Sequence, residues 1–333
     1  GGVWLSQAYD ELRVLVERMG IPFYTSPMSR GLLPDDHEMS FPAARSGAFR
    51  GADVVLVVGT RMNWMMTFGK RIAADSKMIQ IDIHGAELGH NRSVDVGIEG
   101  DAKTVLQQMI DEAERTGFES KAKSKWIETL READLSRRER VAPLENSDQQ
   151  PIHPLRLCKE LRDVMDRDAI LAVDGNEILH FGRQSMPTYE PGHRLNSGPS
   201  GCMGVGLPYA IGAKIAKPDK QVVALHGDGS LGMNIQDFDT AVRHNLPLVV
   251  VVSNNEGWTA RVEGIRKPGR ELGFTRFDKV AEALGGHGEL VEDPKDLQPA
   301  LERAFDAGVP AIVNVRTDPT ARALSRFVGS KME

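Results

Sequence analysis

At 333 residues the chain outgrows the roughly 250 to 300 residues over which a single hydrophobic core is built, so two cores are expected. With 41% hydrophobic and 26% charged residues it reads as neither disordered nor fibrous, and a net charge of −6 offers no basic face to nucleic acid or anionic lipid. No apolar run nears the roughly 20 residues of a membrane-crossing helix, and no basic-then-apolar leader opens the sequence; a cytoplasmic protein with no nucleic-acid and no membrane partner is predicted.

The chain begins Gly1-Gly2-Val3-Trp4 without an initiator Met, like the tail of a Gly-rich strand-to-helix turn, so a fragment is expected. Residues 8–19 place Leu12, Leu15, Val16 and Met19 on one helical stripe, which Gly20-Ile21-Pro22 ends. Two apolar runs, 54–58 (VVLVV) and 78–83 (MIQIDI), suit strands buried on both faces of a parallel sheet, and a helix over 102–114 closes a first domain, 1–115. Residues 116–150 turn strongly charged, lose most apolar periodicity beyond one predicted helix, and read as a linker. The second domain, 151–333, is predicted to hold a helix at 155–166, a strand at 169–173, a Gly-rich helix at 203–216, a strand at 222–225, a helix at 235–243 and a strand at 248–253. Alternating strands and helices of this kind predict α/β architecture, two doubly wound parallel-sheet domains. Cys158 and Cys202 lack both a disulfide framework and a zinc spacing and read as reduced thiols. His226 and His244 read as packing or surface residues.

The informative stretch is 222–258, VVALHGDGSLGMNIQDFDTAVRHNLPLVVVVSNNEGW: strand, Gly-Asp-Gly-Ser, helix, strand, Asn-Asn. Ligands of an open parallel sheet sit beyond the carboxyl ends of its strands, so Asp228 and Asn255 are predicted to be neighbours. Gly227 and Gly229 let the backbone approach a phosphate, and Ser230 opens a helix whose free N–H groups suit a diphosphate. A carboxylate beside a diphosphate repels it unless a hard cation stands between them. Mg²⁺, with about six oxygens at roughly 2.0–2.1 Å, fits: Asp228, the Asn255 amide oxygen and the Gly257 carbonyl, with diphosphate oxygens. Alone, Gly-Asp-Gly is more often a mere turn. Asn254 and Asn255, 26 and 27 residues after Asp228, make the metal reading the stronger one.

This pattern resembles the thiamine-diphosphate enzyme superfamily, along the whole chain. The family's Gly-x-Met-Gly stretch has its match in Gly201-Cys202-Met203-Gly204. By that resemblance the Gly201 carbonyl accepts from the cofactor's aminopyrimidine and Met203 wedges between its two rings. The implied chemistry belongs to the cofactor: a C2 ylid adds to a carbonyl and the thiazolium serves as electron sink for C–C cleavage. The resemblance places the activating Glu on a pyrimidine-binding domain for which this chain has no room, so no residue here is assigned that catalytic role. The domain is expected from a missing N-terminal segment or another chain, in a homodimer or homotetramer.

The first domain resembles the family's central domain, which takes FAD in acetolactate synthases and an ADP-like group in oxalyl-CoA decarboxylases. The stretch Gly59-Thr60-Arg61-Met62-Asn63-Trp64 most resembles the branch of oxalyl-CoA decarboxylases and 2-hydroxyacyl-CoA lyases. Arg61 would take a phosphate of a nucleotide or coenzyme A by paired N–H donors, Asp82 with Ile83 would meet a ribose, and Asp101 would stand nearby; the alternative is that these are solvated strand-end charges. Gly-Asp-Gly-Ser is a departure, since that branch often has Gly-Asp-Ser. Trp258 either walls the acyl pocket or is a buried aromatic, and residues 317–333, with Arg322 and Arg326, are either a frayed tail or a lid over acyl-CoA. The leading expectation is a 2-hydroxyacyl-CoA lyase that releases an aldehyde or ketone and formyl-CoA. The rivals are an acetolactate-synthase-like enzyme or 2-oxo-acid decarboxylase with FAD or ADP, and a non-catalytic cofactor-binding subunit.

Overall fold

The computed structural model describes residues 1–120 and 122–323, which form two units. The first comprises Gly1–Val141 with Thr188–His193; the second comprises Ala142–Pro187 and the chain from Arg194 onward. No helix among the described residues is long and apolar enough to cross a membrane. Arg326 of the expected tail or lid lies outside the described residues.

The first unit is built on β1 (Val54–Val58), β2 (Lys77–Asp82) and β3 (Val96–Glu99), all parallel in the order β1-β2-β3. Both apolar runs are strands, but β1 buries only Val57 fully and is not covered on both faces as expected, while β3, short and mostly exposed, carries no apolar run to mark it. The crossovers between these strands hold only short 3₁₀ turns. Helix Tyr9–Met19 buries Leu15 and Val16 and ends at Gly20, whose φ of 62° lets its N–H reach the Val16 carbonyl. Helix Ala102–Thr116 buries Val105, Leu106 and Ile110.

The charged stretch 116–150 departs from its reading as a linker. Lys125–Glu145 is a 21-residue helix, and its Ile127 and Leu130 enter the cluster formed by Val16, Leu33, Met39 and Phe41. Each such side chain contributes roughly 1.5–3 kcal/mol by leaving water. Buried Asp134 accepts from the Ala43 N–H at 2.7 Å and from Arg138 Nε at 2.6 Å, so even a charged position of this helix is fixed in the fold. Charge on the exposed faces masks the apolar face in composition. The unit boundary accordingly falls at Val141 and Ala142, inside this helix.

The second unit carries β4 (Ile170–Asp174), β5 (Arg194–Leu195), β6 (Val222–Gly227), β7 (Val249–Asn254), β8 (His287–Val291) and β9 (Ala311–Arg316). All pair in parallel, in the order β5-β4-β6-β7-β9-β8. β4, β7 and most of β6 and β9 are buried along their length, as continuous β-branched runs require. From β4 the chain steps outward to β5 and then returns to build β6 and β7 on the other side. The strand order reverses between β4 and β6, and the crevice beyond such a reversal is where ligands of these sheets sit. Two elements begin elsewhere than the periodicity predicts. The Gly-rich helix is Gly206–Ala216, leaving Met203 on the loop before it, and the segment after the Gly-Asp-Gly turn is two seven-residue helices, Asp228–Asn234 and Asp237–Arg243.

Candidate cofactor site

The site grows from the ends of β4, β6 and β7. In register, Asp174 stands beside His226 and Gly227 beside Ser253, so Gly175, Asp228 and Asn255 emerge at one edge. They line an open cleft, together with Glu177, Met203 and Trp258. The neighbourhood expected for Asp228 and Asn255 is present in the structure.

Asp228 is buried, with 4% of its surface exposed. Its Oδ1 accepts from the Gly229 N–H at 2.9 Å and its Oδ2 from the Gly257 N–H at 2.7 Å. Burial pushes its carboxyl up to about 6, against the pull of those N–H donors and of Arg270; a carboxylate held here without a cation is poorly solvated. The Asn255 carboxamide turns one terminal atom towards two oxygens, the Gly257 carbonyl at 2.7 Å and Asp228 Oδ1 at 3.2 Å. As an NH₂ that atom donates to both; as an oxygen it completes three converging acceptors, which a cation satisfies. Among the described residues no three His, Cys, Asp or Glu side chains gather as a metal site, so soft-metal coordination finds no ligand set there, and one carboxylate with an amide and a carbonyl oxygen is a donor set for a hard cation. Asn254, its fully buried neighbour, anchors the end of β7 instead, its Nδ2 donating to Thr275 O at 3.0 Å and Asn314 Oδ1 at 3.1 Å.

The turn itself is packed from both sides. A Cβ on Gly229 would meet Trp258 Cε3 at 2.6 Å, so the indole lies directly on the turn and forms one wall of the cleft. Ser230 faces inward: its Oγ donates to the Gly227 or Asp174 carbonyl, at 3.1 and 3.2 Å, and stands 3.1 Å from His226 Nδ1. What Ser230 can offer a ligand is its N–H, not its hydroxyl. His226, expected as a packing or surface residue, is fully buried, and burial pushes it down to about 4 although Asp174 opposes this. Asp174 in turn accepts from the Gly206 N–H at 2.9 Å, tying the Gly-rich helix beneath the turn. Met203 is 37% exposed and lines the cleft. Gly201 sits two residues earlier with φ of 66° and is not among the lining residues.

In the first unit Arg61, Asp82 and Ile83 all reach the carboxyl edge of the sheet, since Val58 pairs with Ile81. Arg61, with 62% of its side chain exposed, forms an ion pair with Glu87 at 3.1 Å. Asp82 is buried and accepts from the His84 N–H at 3.0 Å, whereas Ile83 is 68% exposed. Asp101 caps helix Ala102–Thr116, accepting from Lys103 and Thr104 N–H groups, which engages its carboxylate within the chain. Two residues around the second unit's cleft carry no sequence signal: Glu177, whose Oε1 accepts from the Ala260 N–H at 3.4 Å, and Arg270, buried beneath the 255–259 loop.

A parallel-sheet domain with a Gly-Asp-Gly turn, convergent oxygens and a cleft at the strand-order reversal belongs to the class that binds a ligand at the carboxyl edge of the sheet. Residues 179–315 match the C-terminal TPP binding domain of thiamine pyrophosphate enzymes, and residues 1–109 match the central domain of the same enzymes. The chain belongs to the thiamine pyrophosphate enzyme family, of which it carries these two domains. It is 38% identical over 329 residues to the acetolactate synthase large subunit IlvG of Mycobacterium tuberculosis, covering 96% of this chain and 58% of the relative. It is 38% identical over 346 residues to the 2-hydroxyacyl-CoA lyase of Arabidopsis thaliana, covering 97% and 59%, and 34% identical over 329 residues to the oxalyl-CoA decarboxylase of Escherichia coli, covering 96% and 58%. The chain thus spans somewhat over half the length of the curated relatives it matches.

Proposed function

We propose that the cleft binds thiamine diphosphate through Mg²⁺, and that the whole protein is a thiamine-dependent carbon–carbon lyase acting on 2-hydroxyacyl-CoA. The observation that carries the cofactor reading is the convergence of Asp228 Oδ1, the Asn255 carboxamide and the Gly257 carbonyl, with separations of 2.7 and 3.2 Å. Adjacent ligands of an octahedral Mg²⁺ at roughly 2.0–2.1 Å lie about 2.9 Å apart, so the residues present fit the ion. Asp228 would neutralise it, Asn255 and Gly257 would complete the protein's share, and Gly227, Gly229 and the N–H of Ser230 would face the diphosphate. Bound there, the cofactor supplies the nucleophilic carbon and the electron sink for C–C cleavage. Gly201 and Met203 would position its rings, and Trp258 and Met203 would shield the reacting face from water.

The lyase reading is supported by the identity to the plant 2-hydroxyacyl-CoA lyase. Under it Arg61, Asp82 and Ile83 would face an ADP or coenzyme A group. The acetolactate synthase relative, at the same 38%, supports a second reading in which 2-oxo acids are joined, with FAD in the central domain. Calorimetric titration of thiamine diphosphate with Mg²⁺ into the chain and into Asp228→Ala tests the site: binding is expected in the former and its loss in the latter, and retained affinity in Asp228→Ala would refute the assignment. Activity is tested on the whole protein, by release of formyl-CoA from a 2-hydroxyacyl-CoA against formation of acetolactate from pyruvate.

A further inference from the structure

We infer that Arg270 is the positioning residue of the metal loop: its guanidinium fixes the backbone of residues 255–259 so that Asn255 and Gly257 turn their oxygens towards Asp228. The inference rests on the Mg²⁺ reading of that site. Arginine carries five N–H donors in a rigid fork, and here five acceptors surround it. Nε donates to Thr259 O at 2.7 Å, Nη1 to Glu256 O at 3.2 Å and Glu271 Oε2 at 2.8 Å, and Nη2 to Asn255 O at 3.2 Å and Pro319 O at 3.4 Å.

Three of these acceptors are backbone carbonyls on either side of Gly257, whereas the Gly257 carbonyl is not among them and faces the Asn255 carboxamide. The fork therefore engages the flanking carbonyls and leaves for a cation the one that points at Asp228. The main chain supports this: Trp258 N–H donates to Arg270 O at 3.0 Å and Leu272 N–H to Glu256 O at 3.1 Å. Glu256 holds a left-handed φ of 59°, a conformation a non-glycine residue keeps only when its surroundings impose it. The guanidinium lies flat on Gly257, where an added Cβ would meet Cζ and Nη1 at 2.5 Å. A side chain with only 4% of its surface exposed, and with most of its donors directed at one loop, acts on the geometry of that loop.

Mg²⁺ demands near-ideal octahedral geometry, while Ca²⁺ accepts longer and more irregular ligands. Loosening the loop should therefore cost Mg²⁺ more than Ca²⁺, a selectivity change that a general loss of stability does not produce. Lysine keeps the charge but is a point donor with three hydrogens and cannot span five acceptors. The experiment titrates MgCl₂ and, separately, CaCl₂ into the chain premixed with thiamine diphosphate, for wild type, Arg270→Lys and Glu271→Gln. Expected is a roughly 10- to 100-fold loss of Mg²⁺ affinity in Arg270→Lys, the range for outer-sphere partners of metal ligands, with a smaller loss for Ca²⁺. Glu271→Gln, which touches only the exposed acceptor, should stay at wild-type values. If Arg270→Lys does not fold, Arg270→Gln, which keeps one amide donor group but loses the fork, takes its place with the same readout. An unchanged Mg²⁺-to-Ca²⁺ ratio in the folded variant overturns the inference while leaving the metal site standing; a wild type that binds neither ion overturns both.

Discussion

Between Gly229 and the indole of Trp258 there is no space for a methyl group, because an added Cβ would meet Cε3 at 2.6 Å. Gly229 is the second residue of helix Asp228–Asn234, where alanine would ordinarily stabilise by up to about 1 kcal/mol. Overpacking typically costs about 1–3 kcal/mol, so Gly229→Ala should be destabilising on balance, with a lower urea midpoint, and should move the indole that walls the cleft. Trp258→Leu in the same background should recover most of the loss. A Gly229→Ala protein as stable as wild type would show that the indole does not bear on the turn. At this scale the sequence shows residues whose type and spacing are themselves the signal: Asp228, Asn255 and Gly257. Arg270 stays hidden, because it lies among Arg261, Arg266 and Lys267 and only folding selects the one whose fork meets the loop. Ser230 and Asp101 have side chains of a kind that suits a ligand, and here backbone groups of the chain itself engage them.

Helix Lys125–Glu145 is the element whose role the composition conceals. Its buried positions, Ile127, Leu130, Asp134 and Val141, recur at helical spacing, but a buried aspartate on that face and charges on the others weaken the pattern. If the helix is part of the first unit's core, Ile127→Ala should destabilise it by about 2–5 kcal/mol, as large-to-small core changes do. Glu139→Ala, on an exposed turn, should stay within about 0.5 kcal/mol. Chemical denaturation of both variants decides the matter, since a linker would make the two equally harmless. The strands that the sequence does show, β1, β2, β4, β6 and β7, carry runs that are apolar or nearly so, and β2 keeps its pattern although Gln80 is fully buried within it. β9 escapes although its one interruption, Asn314, is like Gln80 of β2; that side chain is fully buried, and its Nδ2 donates to Thr275 O at 3.0 Å and Asp278 Oδ1 at 3.2 Å. A satisfied polar residue in a central strand breaks the apolar run without ending the strand, as Gln80 shows in β2.

Across the molecule, protonation opposes folding through three histidines of the second unit. Burial pushes His180 and His226 down to about 4, aided at His180 by Arg183 and opposed at His226 by Asp174; burial also lowers His153, against the pull of Asp318. Each is neutral in the fold and takes a proton on unfolding below its ordinary value of 6.5. The unfolded state then binds more protons, so the stability these groups contribute is present above 6.5 and is lost as pH falls below it, towards 4 for His180 and His226. Asp228 acts with the opposite sign: raised from 3.8 to about 6, it binds its proton more tightly when folded, so its contribution is present below 3.8 and is lost as pH rises through 6. The two effects overlap between pH 4 and 6, where His180 and His226 together outweigh one carboxyl and His153 adds to them in sign. Paired carboxylates, which also drive acid unfolding, titrate lower, so a comparison of pH 7.5 with pH 5 reads the histidines net of Asp228, together with the amino terminus, which burial pushes down to about 6. The urea midpoint of the metal-free chain should fall between those two values. It should fall further in Asp228→Asn, which removes the opposing group, and less in His180→Gln. A midpoint that holds or rises at pH 5 would mean that the buried imidazoles reach protons and solvent without unfolding.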